Sequence, residues 1–185
     1  MILLLAAALA AGPDLDAHNT RRRDQQIVAM TVLTTWSAAN LGVGAVGWAT
    51  TYDPEWRAFH QMSVAWSGIN LAISIPGLLG AVREQPRGLD LQTTLRRSAG
   101  LRISFALNTG LDVGWVALGG WLAERGLRQH DARQIGLGRS MMLQGGFLLL
   151  FDAALFALRS HDDRQLLLTP WMDPATSTAG LSFTF

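Results

Sequence analysis

Residues 36–41 read WSAANL and residues 66–71 read WSGINL, nearly the same hexamer written twice, each time with an asparagine inside an apolar run. Laid over one another at that offset, Ser37 meets Ser67, Asn40 meets Asn70, Gly44 meets Ser74 and Gly47 meets Gly77. The shared spacing is S-x2-N-x3-[G/S]-x2-G. Steps of three, four and three residues keep all four positions on one face of a helix. Each segment therefore carries a stripe of small residues with one amide set in it. Small residues let helix backbones approach closely, and amides bond across the contact, which is how helices associate in lipid, where no hydrophobic drive acts between them.

The rest of the chain supplies that medium. Charged residues make up 16% of the sequence and hydrophobic residues 49%, whereas an average soluble chain carries about 25% charged residues. Four apolar runs, 27–49, 59–82, 101–123 and 141–158, are each close to the roughly 20 residues that cross a bilayer as helix. Charged or Pro/Gly-containing breaks separate them: TYDPEWR, REQPRGLD and ERGLRQHDARQ. Asp53, Asp90 and Asp131 sit where helix N-caps belong, and Pro54 suits a first helical turn. A soluble bundle would place charges along one face of each helix, but inside the four runs the ionisable residues are only His60, Arg102, Asp112 and Asp152. The reading is an all-α, four-helix transmembrane bundle of two related antiparallel hairpins, with the membrane domain at 18–160.

The ends differ in character. MILLLAAALAAG has an apolar stretch too short to span a membrane but suited to a signal-peptide core, so residues 1–17 read as a signal peptide and short linker. Residues 161–185 form a tail in which Leu181, Phe183 and Phe185 alternate, so that 178–185 reads as a short strand. That ending resembles the terminal strand of bacterial outer-membrane barrels, but one strand does not make a barrel. Topology signals conflict. A cleaved signal places the mature N-terminus outside. Yet ten of the fifteen arginines fall at the end holding residues 21–23 and 83–102, and the positive-inside rule would make that end cytoplasmic.

A polar layer crosses the predicted bundle. Asn40, Asn70, Asp112 and Asp152 each fall near the middle of a span. Asn108 lies one turn from Asp112, and Gln144 two turns from Asp152. Because the first two spans are joined by a short turn, Asn40 and Asn70 are expected to approach one another. Ser37, Gly44, Gly47, Ser67, Ser74 and Gly77 would form the packing stripes, and Thr109, Asp112 and Gly119 repeat the register loosely in the third span. An ionisable residue inside a span suggests a functional site, and two neighbouring carboxyls that share a proton can carry or sense protons. The alternative is that amides and acids simply lock the helices together.

Other chemistry is poorly represented. The formal net charge of +1 supplies no basic field for nucleic acid. With no cysteine, disulfides, thiolate metal sites and thiol redox chemistry are excluded. No phosphate loop, metal-ligand cluster or nucleophile–base pair is visible, and no cofactor is expected. His60 and several tryptophans read as interfacial or packing residues, with Trp36 and Trp66 internal.

The stretches RRRDQQIVAMTVLTTWSAANLGVG (21–44), NTGLDVGWVALGGWLAERG (108–126) and GLGRSMMLQGGFLLLFD (136–152) together resemble a family of small four-span bacterial membrane proteins of unassigned function, over roughly residues 15–160. The resemblance implies a helical membrane fold and brings no activity, ligand or catalytic residue. The expected protein is a non-enzymatic binding or scaffolding protein of the bacterial inner membrane, contacting lipid and assembling with itself or a membrane partner. A proton- or small-solute-linked transporter or channel working through Asp112 and Asp152 is the alternative.

Overall fold

The computed structural model of the protein describes residues 14–168, 171–173 and 178–180. Four helices form the bundle: α1 (Leu15–Thr50), α2 (Pro54–Arg83), α3 (Leu91–Gln129) and α4 (Ala132–Leu168). In the tail, β1 (Trp171–Asp173) pairs antiparallel with β2 (Thr178–Gly180). The signal segment expected at 1–17 lies outside the described residues up to 13, and residues 15–17 are the first turn of α1 rather than a linker. Residues 178–180 of the expected terminal strand are β2, and 181–185 lie outside the described residues.

Each helix starts on an aspartate. Asp14 accepts the Ala17 amide at 2.9 Å, Asp53 accepts those of Glu55 and Trp56 at 2.9 Å, Asp90 that of Thr93 at 2.8 Å and Asp131 that of Gln134 at 3.1 Å. These amide bonds satisfy donors that the first helical turn leaves free. They also hold the Asp90 and Asp131 carboxyls below the ordinary carboxylate range. The turn between α3 and α4 is tight because His130 adopts a left-handed φ of 54°, and its amide returns to the carbonyls of Gly126 and Leu127.

The helices are paired in sequence order. α1 lies along α2 and α3 along α4; α2 also packs on α4, while the Cα traces of α2 and α3 nowhere come within 8 Å of each other. Both sequence-adjacent pairs are antiparallel. Gly47 lies against the His60 ring, Thr34 Oγ1 donates to Ser74 Oγ at 2.9 Å, and a Cβ on Gly77 would meet Met30 Sδ at 2.7 Å. Between α3 and α4 the approach is closer. A Cβ on Gly119 would lie 2.8 Å from the Gly138 carbonyl oxygen and 2.9 Å from the Met142 amide nitrogen. A Cβ on Gly138 would in turn strike the Ala123 amide nitrogen at 2.5 Å.

The distribution of polarity is inverted relative to a soluble domain. The largest fully buried side chains are Gln144, Asn19, Thr94, Ser37, Ser67, Ser74 and Ser140, every one polar. Val43, Val46, Leu107 and Leu150 are more than three-fifths exposed. Among the described residues, α1, α2 and α4 are long and apolar enough to cross a membrane. The expected span 101–123 lies within α3, which is not among them: Arg102, Asn108 and Asp112 interrupt its apolar run. Its outward residues are nonetheless apolar, with Leu107 64% and Leu111 61% exposed. At 30 to 39 residues the helices are about 45–58 Å long, well beyond the ~30 Å of hydrocarbon, so their polar ends have room outside it.

One of those ends is closed by ionic contacts. Arg22, 5% exposed, donates to Glu84 at 2.5 Å, and Arg97 donates to the same oxygen at 2.7 Å. Arg159 donates to the Arg22 carbonyl at 2.9 Å, Arg102 pairs with Asp163 at 3.4 Å, and Asn19 donates to Thr94 at 2.8 Å. Residues from α1, α3 and α4 and the C-cap of α2 take part. At the opposite end Arg139 pairs with Glu55.

Two outcomes are expected. Gly138→Ala forces a methyl into backbone and should cost about 1–3 kcal/mol, read as a lowered thermal midpoint in detergent. Gly146→Ala, on the same helix with nothing within 4 Å of the added carbon, should leave the midpoint unchanged. Glu84→Gln strands the buried Arg22 charge and should cost about 3 kcal/mol in the same measurement.

Candidate functional site

The six polar-layer residues divide into two groups. In the first, Trp36 Nε1 donates to Gln144 Oε1 at 3.1 Å, Gln144 Nε2 donates to Asn40 Oδ1 at 3.0 Å, and Asn40 Nδ2 donates to the Trp36 carbonyl at 2.9 Å. The three residues form a closed ring between α1 and α4. Trp36 also stacks on Phe147, centroids 4.0 Å apart. The neighbouring polar contacts are of the same kind: Ser63 and Ser140 share a 2.9 Å hydrogen bond between α2 and α4.

Asn40 does not bond to Asn70. The contacts of Gly47 with His60 and Thr34 with Ser74 fix the α1–α2 register. That register sets Asn40 level with Ser67, and Asn70 level with Ser37. Equal depth in the sequence repeat is thus not equal depth in the antiparallel pair, because reversing one helix mirrors the order of its residues. Asn40 finds its partner on α4 instead. Ser37 Oγ turns back to its own helix, donating to the Leu33 carbonyl at 2.7 Å.

The second group surrounds a cavity of about 290 Å³ between α2, α3 and α4, with Met30 and Leu33 of α1 at its back. Asn70, Asn108, Asp112 and Asp152 all line it, together with Trp66 and Trp115. Asn70, Asp112 and Asp152 are 4–5% exposed, whereas Asn108 lies at the exposed mouth. The mouth faces sideways, past Ile69, Ile73 and Leu111, because α2 and α3 stand apart. Trp66 and Trp115 bridge that gap edge to face, centroids 5.0 Å apart.

The hydrogen bonding of this group is incomplete. The Asp112 and Asp152 carboxyls lie within hydrogen-bonding reach of each other, so a proton on either one joins them. Asp112 Oδ2 has no nitrogen or hydroxyl donor of its own, and the Trp66 indole N–H and the Asn70 amide nitrogen have no acceptor in the protein. Two donors are thus buried unpaired around one space, beside an Asp112 oxygen whose one prospective donor is a proton shared with Asp152. Leaving such groups unmatched costs about 1–3 kcal/mol each, and a ligand presenting both an acceptor and a donor recovers that cost. Among the described residues there is no group of three or more acidic or histidine side chains placed to hold a metal ion.

Sequence reasoning did not find Trp66 as a polar participant, reading it only as internal. Its neighbour Ser67 sits in the repeat and drew attention instead, although Ser67 Oγ is likewise buried without a partner. Gly138 and Gly136, which meet backbone on α3 and α2, were also missed; the GLG spacing at 136–138 was their signal. The buried Arg22–Glu84 pair left no readable trace, since Arg22 stands in a run of three arginines.

Searches of curated proteins and of solved structures returned no match for this chain. A family model, Family of unknown function (DUF6992), matches residues 32–153. That range contains the closed ring, the cavity acids and amides, and the small residues of α1 and α2. Matched over more than half of its length, the chain belongs to this family of unknown function.

Proposed function

We propose that the protein is a four-span integral membrane protein of two related antiparallel hairpins, and that it binds a small polar ligand within the bilayer, in a binding rather than an enzymatic role. The observation that carries this reading is the asymmetry between the two polar groups. The Trp36–Asn40–Gln144 ring is complete and acts as packing. The Trp66–Asn70–Asp112–Asp152 group encloses a cavity and is incomplete. What marks the second group is that its unmatched atoms, Trp66 Nε1, Asn70 Nδ2 and Asp112 Oδ2, belong to residues lining one cavity, where lipid offers no substitute partner.

The fourth span is α3. Asp112 is buried against the cavity and Asn108 stands at its mouth, while Ile103, Leu107 and Leu118 face outward, an arrangement that suits lipid despite the helix's lower mean hydropathy. The arginine-rich end of the bundle suits the cytoplasmic side of a bacterial inner membrane. A second reading, proton-linked transport, is favoured by one feature: two carboxyls close enough to share a proton.

Native mass spectrometry of the protein extracted from membranes tests the binding reading. The wild type should carry a small non-lipid adduct that Asp112→Asn/Asp152→Asn lacks, with both forms equally folded by size exclusion. Equal occupancy in both, or none in the wild type, contradicts it. Proteoliposomes with a trapped pH dye test the second reading: proton flux in the wild type that falls at least about tenfold in the double variant, the loss typical of a displaced proton-transfer group, would support transport. Absence of flux would reject it.

A further inference from the structure

A second opening lies further along the gap between α2 and α3, toward the ionic end of the bundle. It is a groove of about 460 Å³. Its floor near mid-bundle is made by Pro76, Gly77, Gly80 and Leu101, and its outer rim by Arg22, Arg96 and Arg97 with Glu84. Glycine shapes both walls. At Gly80 on α2 and Gly100 on α3, an added Cβ would meet nothing within 4 Å, so these glycines leave open width that a side chain would fill.

The rim is unbalanced in charge. Three arginines stand there against one carboxylate, and Glu84 is already shared between Arg22 and Arg97. Arg96 forms no ion pair among the described residues. Arg22 is 95% buried by its 5% exposure, and its Nε has no acceptor in the protein. A buried guanidinium N–H without an acceptor is costly, and here it lies on the groove wall. The rim therefore has both surplus positive charge and an unpaired donor.

Depth identifies the occupant. With the Asn70–Asp112 level at the bilayer midplane, Glu84 and Arg97 lie about 21–22 Å away along their helices. The hydrocarbon ends at about 15 Å from the midplane, so the rim stands at the lipid headgroups, Gly80 and Gly100 at the boundary, about 15 and 18 Å out, and Pro76 and Gly77 among the acyl chains.

We propose that this groove is a binding site for an anionic phospholipid, its phosphate held by Arg96, Arg97 and Arg22, its glycerol region passing between Gly80 and Gly100 and one acyl chain running inward over Gly77 and Pro76. The assignment rests on the membrane-spanning reading and not on the acid cavity. Headgroup charge supplies the selectivity and the groove supplies the affinity.

The test is native mass spectrometry of the full-length protein in detergent, titrated with phosphatidylglycerol and with phosphatidylcholine of the same acyl chains. The wild type should prefer phosphatidylglycerol by about tenfold or more, as two arginines at a headgroup imply. Arg96→Gln/Arg97→Gln, both exposed positions, should abolish that preference. Gly100→Leu should reduce binding of both lipids while leaving the thermal midpoint in place, and Asp112→Asn/Asp152→Asn should keep the wild-type preference. No lipid preference in the wild type, or an unchanged preference in the arginine variant, overturns the proposal. Inorganic phosphate binding as well as the lipid would overturn the assignment to a phospholipid.

Discussion

In hydrocarbon, a buried amide or hydroxyl has no water to turn to, so every polar group must find its partner inside the protein or in something the protein holds. On the membrane-spanning reading, that constraint organises this bundle. Serines and threonines at the helix contacts bond across them, as Thr34 does to Ser74 and Ser63 to Ser140, or back to a carbonyl one turn earlier, as Ser37 and Thr109 do. Glycines bring α3 and α4 into backbone contact at Gly119 and Gly138. Many large apolar side chains, Val43, Leu107 and Leu150 among them, lie on the outside, around a small apolar core at Ala29, Met30 and Leu33.

Against that background the unmatched groups carry information. Asn40 and Gln144 belong to a ring in which each amide both gives and receives. Asn70, Trp66 and Asp112, less than two turns away by register, do not. The difference follows from the helix arrangement. α1 reaches α4 through the Trp36–Phe147 stack, whereas α2 and α3 stand apart, and both openings described above lie in the α2–α3 gap. That gap gives the bundle a side entrance. One level of the entrance is acidic and central; the other is basic and near one end of the bundle.

Much of this was legible in the chain. The small-residue stripes, the aspartate caps and the acids at mid-span all follow from local pattern, and local pattern survives folding because it fixes which face of a helix a residue occupies. The pairing of Asn40 was not legible. Mid-span depth and a short turn pointed to Asn70 as its partner, but the antiparallel register sets Asn40 against Ser67, and only the tertiary arrangement brings Gln144 to it. The burial of Arg22 beneath Glu84 escaped for a similar reason: partners 62 residues apart in sequence leave no periodic signal. The α3 span is the instructive middle case. Its polar residues lower its mean hydropathy, and the burial of Asp112 becomes apparent only when the outer face is seen to carry Ile103, Leu107 and Leu118, with Leu111 at the cavity mouth.

The account depends on that outer face of α3 meeting lipid. Because the chain has no cysteine, single cysteines at positions 107, 111 and 118 can each take a spin label in reconstituted vesicles without interference. Accessibility to oxygen, which concentrates in hydrocarbon, compared with a water-soluble nickel complex then reports the medium at each site. Oxygen access rising toward position 111, with the nickel complex excluded from it, is the predicted result; strong nickel access at all three positions would place α3 in water and contradict the inverted, four-span bundle.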